Sequence, residues 1–397
     1  MTKKQLMSAV AGSVVVATVV GCASAAPTTT TSTTSTSTTT TTTTIPTTTT
    51  TLPPFEIEGA PGELAALIEQ FYAFTTGEST EAPPLPEPVA SIEPLPRETP
   101  LHGVASVGTF REQQVATVEI GDDLFLAVNE GSAWRIVGGS WPALELRYFG
   151  EFPRLVAVIG SDARPGQDQD RSRGDSIHVV GLDGRGAGGI VGIPRDAYVP
   201  IPGVGRNKIN AALSRGGPDV MFETMKQVSG LPLEGYVLTG FEGFRMMVGA
   251  VLGGIEVDIP FDINDKHAKA YFEAGKQLLN GKNALAFARP RKTVPGGDFT
   301  RSQFQGMLLL GAVQAVAAQG YGAIPALMEG SDPWLSTNMT PEQILTFSAA
   351  AISADAAEIP NVVVPGRGGW AGNASVVHLS SGGEVIWEDL ADGALEN

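Results

Sequence analysis

The chain has 397 residues, 42% of them hydrophobic, and a formal net charge of −16 at pH 7. This length is sufficient for one or two folded domains, and the acidic balance argues against an exposed nucleic-acid-binding face. Cys22 is the only cysteine and the four histidines lie far apart in the sequence, which excludes a disulfide framework and argues against a zinc site.

Residues 1–22 have the pattern of an export signal. Lys3 and Lys4 precede an apolar stretch that begins at Leu6 and ends in "VVGC". This ending resembles a bacterial lipobox, which predicts a lipid on Cys22 after cleavage. An uncleaved signal anchor is the alternative, and either interpretation places the rest of the chain outside the cytoplasmic membrane.

Residues 23–54 consist mainly of Thr and Ser with Pro and lack apolar periodicity, which predicts a disordered tether. Residues 55–150 predict a small α+β domain. The stretch "PGELAALIEQFYAF" has helical apolar spacing, and "GVASVGTF", "QQVATVEIG", "DLFLAVNEG" and "AWRIVGGSW" have the pattern of short strands. This segment contains no cluster of catalytic residue types, so we interpret it as an accessory domain.

Residues 151–397 alternate between strand and helix patterns, which predicts an α/β fold with α-β-α layers. The apolar runs "RLVAVIG", "SIHVVGL" and "GGIVGIP" indicate strands covered on both faces, and "NVVVP" indicates a late strand. Helical patterns include "GPDVMFETMKQVSG", "FEGFRMMVGAVLGG", "NGKNALAFAR" and "DFTRSQFQGMLLLGAVQAVAAQG". A last helix begins at "TPEQ", where Thr340 and Gln343 form a capping-box pattern.

Basic residues are concentrated in one part of the chain. Residues 151–310 carry 19 Lys and Arg against 17 Asp and Glu, whereas the remainder carries 7 against 25. Asp162 and Arg164 follow the first predicted strand, Asp175 precedes the second, and Arg195 and Asp196 end the third. Ligand sites of α/β sheets are usually built at such strand ends.

Further polar residues accompany this cluster in the opening loop and downstream. They are Arg173 in the loop, Lys208 in a predicted loop before a helix, Arg289 and Arg291 beside Pro290, and Asp298, Arg301 and Gln305 at the start of the long helix. Guanidinium groups bind phosphate oxygens in pairs, and carboxylates hold hard divalent cations. The combination indicates phosphoryl-transfer chemistry, which also needs a base.

A simpler interpretation of the opening loop is a solvated turn with weak surface ion pairs. We interpret Asp168, Asp170 and Arg171 in that way. Ordinary ion pairs also remain an alternative for Arg289 and Arg291.

Six blocks resemble, in order and spacing, the LytR-CpsA-Psr family of cell-wall assembly proteins: "GSDAR", "RGDS", "GIPRDAYVPIPG", "KINAA", "FARPRK" and "GDFTRSQFQ". The resemblance begins at about Arg154 and extends into the C-terminal region. It implies a mixed central sheet and an extracytoplasmic phosphotransferase. Such an enzyme moves a glycopolymer from a polyprenyl (pyro)phosphate carrier to peptidoglycan, assisted by Mg²⁺ (or Mn²⁺).

The resemblance also implies roles for particular residues. Asp162 and Asp175 would hold the metal; the pyrophosphate would be bound by Arg164, Arg173, Arg195, Lys208, Arg289, Arg291, Arg301 and Gln305. Arg195 is in addition expected to be catalytic, and the base is Asp298 or Asp196, between which spacing does not choose. A lipid tunnel is implied, with "FRMMVGAVLGG" and "GMLLLGAVQAV" as walls, although periodicity alone indicates ordinary core for both.

The chain departs from the family pattern in two places. Phe304 stands where the family usually has a basic residue, so one phosphate or headgroup contact is expected to be missing. The family more often has a transmembrane anchor than a sequence resembling a lipobox, such as the one that ends at Cys22. A polyprenyl-pyrophosphate pyrophosphatase and a non-catalytic scaffold for lipid or cell wall remain alternative functions. We expect a location on the outer face of the bacterial cytoplasmic membrane, lipid-anchored or held by a single N-terminal anchor.

Overall fold

The computed structural model describes residues 55–95, 102–131 and 133–396, and these belong to one compact unit. The predicted export signal, Cys22 and the Thr-rich tether lie outside the described residues. In the described ranges, no single helix is long and apolar enough to cross a membrane. One bent pair of helices, Asp298–Ala317 with Tyr321–Trp334, meets that test by length and composition alone.

The first sheet has six strands in sequential order, with β1 parallel to β2 and the other neighbours antiparallel. Its strands are β1 (Glu56–Glu58), β2 (His102–Phe110), β3 (Gln113–Ile120), β4 (Asp123–Asn129), β5 (Trp134–Trp141) and β6 (Leu146–Tyr148). Helix α1 (Gly62–Thr75) packs Leu64 and Phe71 against Phe125 and Trp141 on one face of this sheet, and the short α2 (Glu87–Ala90) lies beside it. The predicted helix and four strands therefore coincide with observed elements.

The opposite face of this sheet packs against residues from the second half of the chain. Phe110, Leu124 and Leu126 share a buried cluster with Ile324 and Leu345. Because side chains alternate along a strand, one sheet serves both its own core and this second cluster.

The central sheet has the order β17-β12-β7-β8-β9-β18 and is mixed, as predicted. Its strands are β7 (Arg154–Ser161), β8 (Gly174–Leu182), β9 (Gly188–Gly192), β12 (Gly235–Thr239), β17 (Ser336–Thr337) and β18 (Asn361–Val363). The pairs β7–β12 and β9–β18 are parallel, and the other neighbours are antiparallel.

Helices cover both faces of the central sheet, which confirms the α-β-α layers. The helices of this half of the chain are α3 (Ala211–Ser229), α4 (Phe241–Met246), α5 (Gly281–Phe287), α6 (Asp298–Ala317), α7 (Ile324–Ser331), α8 (Pro341–Ser353) and α9 (Gly382–Asp389). Of these, α3 packs against β8 and β12, and α6 packs against β8 and β9. Leu213, Met225 and Trp387 of α3 and α9 share the main buried cluster with the strands. Helix α8 begins with the predicted capping box of Thr340 and Gln343.

Four two-stranded antiparallel pairs complete the described structure. They pair β10 (Tyr198–Ile201) with β11 (Gly205–Lys208), β13 (Ile255–Ile259) with β16 (Gly275–Leu279), β14 (Ile263–Asp265) with β15 (Ala270–Phe272), and β19 (Gly366–Ala371) with β20 (Ala374–Leu379). Of these strands, β13 was predicted by the apolar alternation of "IEVDIP". Lys208, predicted in a loop, ends β11 because "GRNK" pairs antiparallel with "YVPI".

Arg154 joins the two sheets through a buried polar network. The Arg154 guanidinium donates to Glu234 Oε2 at 2.8 Å, to the Phe149 carbonyl at 2.6 Å, to Thr346 Oγ1 at 3.2 Å and to the Gln343 carbonyl at 3.1 Å. The residue is only 3% exposed. It therefore ties the end of the first sheet, the start of β7 and α8 together.

We predict that Arg154→Met lowers the free energy of unfolding by about 3–5 kcal/mol, because it leaves Glu234 and two carbonyls without their cation. Urea denaturation measures this loss. Arg185→Met is the matched control, since the Arg185 side chain is 76% exposed and its partner Asp183 still accepts from the backbone N–H groups of residue 185 and Ala187. It should cost no more than about 1 kcal/mol. Equal, small losses in both variants would refute a structural role for the network.

Candidate functional site

The charged residues predicted from the sequence meet at the end of the central sheet. Asp162 follows β7, and its backbone N–H donates to the Arg173 carbonyl at 2.9 Å. The Arg173 N–H in turn donates to Asp162 Oδ1 at 2.9 Å. Asp175 is the second residue of β8, and Arg195 and Asp196 follow β9. The antiparallel pairing of β7 with β8 therefore brings Asp162 and Asp175 to one edge.

Asp298, in the first turn of α6, is the centre of an arginine cluster. Its Oδ1 lies 2.5 Å from Arg301 Nη2, 3.6 Å from Arg291 Nε and 3.9 Å from Arg195 Nε. A carboxylate is also favourable at a helix N-terminus, where the backbone N–H groups are unpaired. Asp298 and Arg301 are both buried. Burial lowers the pKa of Arg301, and Asp298 acts in the opposite direction.

Asp175 is a second carboxylate in contact with this cluster. Arg195 donates a short hydrogen bond to Asp175 Oδ2, and Arg301 Nη1 lies 3.9 Å from the same atom. Asp175 Oδ1 is buried and has no hydrogen-bond partner among the described residues. Burial raises the pKa of Asp175; Arg195 and Arg301 oppose this shift, and the negative charge of Asp162 adds to it.

Asp196 is bound by two cations on the other side of Arg195. Its Oδ1 lies 2.9 Å from Lys208 Nζ, and its Oδ2 accepts from Arg291 Nη2 at 2.5 Å. Burial raises the pKa of this carboxyl, but the hydrogen bond from Lys208 and the charge of Arg291 outweigh burial, so the pKa lies below its ordinary value. Asp196 is therefore ionised at neutral pH.

Sequence reasoning did not identify Ser176 and His178, which lie behind the site. Burial lowers the pKa of His178 to about 4, so its ring is neutral at neutral pH. His178 Nε2 donates to the Ser302 carbonyl of α6 at 3.0 Å, which leaves Nδ1 to accept from the Ser176 hydroxyl at 3.2 Å. The sequence feature that could have identified His178 is its position inside the apolar run "SIHVVGL".

A cavity of about 770 Å³ joins the polar cluster to an apolar interior. Its polar lining includes Asp162, Arg164, Asp175, Arg195, Arg289, Arg291, Arg301 and Gln305. Its apolar lining includes Phe244, Met247, Val251, Leu308, Leu309 and Val316. The two stretches expected to form tunnel walls both contribute side chains to it. Gln305 is held at the junction by donating to the Ala288 carbonyl at 3.1 Å.

A second, polar cavity of about 540 Å³ lies beside the first. Arg195 and Arg291 line both cavities, whereas Arg173, Lys208 and Asp196 line only the polar one. The predicted phosphate-binding residues are therefore divided between two adjacent spaces. Asp298 lines neither of these cavities and lies behind the arginines.

Other residues of the predicted loop and helix have packing or loop contacts. Asp168 caps a short turn by accepting from the Asp170 N–H, and Asp170 accepts from Ser336 Oγ at 3.1 Å. Phe304 is buried and stacks on Phe287 with ring centroids 4.5 Å apart. The position where a basic residue was expected therefore belongs to the core between α5 and α6.

The described residues contain no group of three or more His, Cys, Asp or Glu side chains able to hold a metal ion by themselves. Asp162 and Asp175 supply two carboxylates, and the unpartnered Oδ1 of Asp175 is an available ligand atom. Mg²⁺ is commonly bound by one or two carboxylates together with substrate phosphate oxygens. The pair therefore fits a metal that arrives with a phosphate substrate.

Comparison with known proteins finds that the LytR_cpsA_psr family model matches residues 151–387. The polyisoprenyl-teichoic acid–peptidoglycan teichoic acid transferase TagV of Bacillus subtilis is 36% identical over 198 residues, which are 47% of this chain and 50% of TagV. TagU of Bacillus cereus, which carries the same transferase name, is 34% identical over 200 residues, 48% of this chain and 62% of TagU. The matched region thus covers about half to three-fifths of the length of these relatives.

Among solved structures, the crystal structure of B. subtilis TagV superposes with a TM-score of 0.52 at 29% identity. The alignment covers 60% of this chain and 95% of that chain. The first sheet lies outside the range matched by the family model.

Proposed function

Because this chain belongs to the LytR-CpsA-Psr family, as its motifs predicted, we propose that it transfers a glycopolymer from a polyprenyl (pyro)phosphate carrier to peptidoglycan. The observation that carries this function is the continuity of one cavity, in which Arg195 and Arg301 share a space with Met247 and Leu308. An amphiphile with a long apolar chain and an anionic head matches both parts. The transferase names of TagV and TagU, which are 36% and 34% identical to the chain over the matched regions, agree with this substrate class.

In this scheme the arginines bind the pyrophosphate of the carrier. Each guanidinium group can donate two hydrogen bonds to phosphate oxygens. A pyrophosphate carries more than one negative charge, so several guanidinium groups are needed to neutralise it. The residues that line the apolar cavity would bind the carrier side: Arg164, Arg289, Arg301 and Gln305. Arg173 and Lys208 line the polar cavity and would bind the glycan side, with Arg195 and Arg291 between the two.

Asp162 and Asp175 would hold Mg²⁺ (or Mn²⁺) against the pyrophosphate. When bound there, the ion would offset negative charge that develops on the phosphate oxygens. Support comes from the unpartnered Asp175 Oδ1 and from the proximity of the Asp162 charge, which raises the pKa of Asp175. A cation beside the two carboxylates would remove this repulsion.

The transfer step joins an acceptor hydroxyl of peptidoglycan to the phosphorus that carries the glycan. The hydroxyl oxygen forms the new P–O bond, the bond from that phosphorus to the bridging oxygen breaks, and polyprenyl phosphate leaves with the electron pair. We assign Asp196 as the base that takes the proton of the acceptor hydroxyl, because its carboxylate is ionised and faces the polar cavity. We assign Asp298 a positioning role, because it contacts three arginines and lines neither cavity.

We predict that Asp175→Ala and Arg195→Ala each reduce transfer on the order of 10²–10³-fold, because Arg195 would bind the pyrophosphate directly and Asp175 would hold the metal and orients Arg195. Glycan attached to peptidoglycan and released polyprenyl phosphate are measured together, with and without EDTA and added Mg²⁺. Arg206→Ala is the control, since Arg206 is an exposed cation stacked near Tyr198. Circular dichroism verifies that the variants are folded.

Wild-type activity in either folded variant would contradict the site assignment, and activity insensitive to EDTA would contradict the metal. Free phosphate without glycan on peptidoglycan would indicate a pyrophosphatase. Bound carrier without turnover would indicate a scaffold.

We predict different consequences for the two aspartates proposed as base. Asp196→Asn should lower transfer by about 10²–10⁴-fold, because it removes the proton acceptor, and should weaken carrier binding less than Asp298→Asn, because Asp196 pairs with only one of the three arginines, Arg291. Asp298→Asn should weaken carrier binding as well, because Arg195, Arg291 and Arg301 lose their common anion. Carrier affinity and transfer rate are measured on the same preparations. Full carrier binding with lost transfer in Asp298→Asn would instead assign the base to Asp298.

The proposed location is the outer face of the bacterial cytoplasmic membrane, where carrier and peptidoglycan meet. Attachment through a lipid on Cys22 rests on the sequence "VVGC". Cys22→Ala should block processing of the signal and abolish labelling by a fatty-acid probe, as measured on cell fractions. Absence of both processing and label in the wild type would favour a single, uncleaved N-terminal membrane anchor.

A further inference from the structure

The apolar cavity extends along α6 away from the arginines. Arg301 and Gln305 lie at its polar mouth, and Leu308, Ala312 and Val316 line it over the following turns. The distance from Arg301 to Val316 along the helix axis is about 22 Å, at 1.5 Å per residue. The cavity therefore reaches the last turn of α6, and we call this part its far end.

A residue of the first sheet lies at that far end. After α6 the chain bends by 103° into the segment Tyr321–Trp334, which contains α7. Ile324 and Met328 of this segment line the cavity, and Phe110 lines it with them. Phe110 is fully buried in the same cluster as Ile324 and Met328. It is the last residue of β2, outside the range matched by the family model.

The end of β2 is fixed directly against α7. The Thr109 N–H donates to Glu329 Oε2 at 3.2 Å, and the Arg111 N–H donates to Asp332 Oδ2 at 3.1 Å. At Gly108 a Cβ atom would lie 2.4 Å from the Pro325 carbonyl oxygen, so only glycine permits this approach of the two backbones. Phe110 is thus held on both sides along the strand and forms a rigid wall.

We propose that the sheet of residues 55–150, through Phe110, closes the far end of the cavity and sets the length of prenyl chain that the cavity accepts. This inference rests on the proposed function, because it takes the apolar part of the cavity as the site of the carrier lipid. Each further isoprene unit adds apolar surface that is buried only while space remains. Affinity should therefore rise with prenyl length and then level off once the chain reaches Phe110.

Binding of farnesyl, heptaprenyl and undecaprenyl phosphate to the full-length protein in detergent tests this assignment. Phe110→Leu enlarges the far end, so a prenyl chain long enough to reach it gains space. The ratio of the affinity for this longer lipid to the affinity for farnesyl phosphate should rise on the order of tenfold. Phe110→Trp fills the far end and should lower the same ratio. Farnesyl phosphate, which remains near the arginines, should bind all variants equally.

Phe125→Leu is the matched control. Phe125 is also fully buried, but it lies on β4 with its ring 4.9 Å from that of Phe71 and 5.5 Å from that of Trp141, away from the cavity. The Phe125→Leu variant should lose stability, as the Phe110→Leu variant does, but its affinity should depend on prenyl length as in the wild type. An unchanged length dependence in both Phe110 variants would overturn the inference while leaving the proposed function intact. Absence of polyprenyl phosphate binding by the wild type would overturn both.

Discussion

The site depends on the balance between several buried or half-buried guanidinium groups and three aspartates. Arg195, Arg291 and Arg301 all lie within 3.9 Å of the Asp298 carboxylate, and like charges this close repel each other strongly in a partly desolvated environment. Asp298 offsets that repulsion from behind, while Asp175 and Asp196 each hold arginines from the cavity side. The arginines are therefore arranged before any phosphate arrives, and an anionic ligand meets an organised surface.

Helix α6 connects this charged cluster to the apolar interior. Its first two turns supply Arg301 and Gln305 to the cavity, with Asp298 behind them, and its later turns supply Leu308 and Val316 to the same cavity. His178 fixes the start of the helix by donating to the Ser302 carbonyl. Because a helix is rigid over this length, the polar head and the apolar chain of a ligand are held in a fixed relation.

The first sheet is part of the same structural unit as the candidate catalytic region. One of its faces packs on α1, and the other packs on α7 and α8, whose residues also line the cavity. Arg154 adds a polar connection between the end of this sheet and α8. The described residues of the first sheet thus contribute to the shape of the cavity.

The sequence by itself determined the features that depend on neighbouring residues. Apolar runs predicted β7, β8 and β9, the pattern around Thr340 predicted the start of α8, and six motifs indicated the family and most of the polar residues at the mouth of the cavity. Asn280, which caps α5 by accepting from the Asn283 N–H, shows how local such signals are.

Only the tertiary structure decided which distant groups meet. It placed Asp298 behind the arginines, divided Arg173 and Lys208 from Arg164 and Arg289, and brought Phe110 to the far end of the cavity. It also placed Phe304 in the core, where the departure from the family pattern had suggested only a missing cation. These relations follow from the order of the strands and the packing of α6 and α7. No short stretch of sequence encodes them, because they arise between residues that lie tens to hundreds of positions apart.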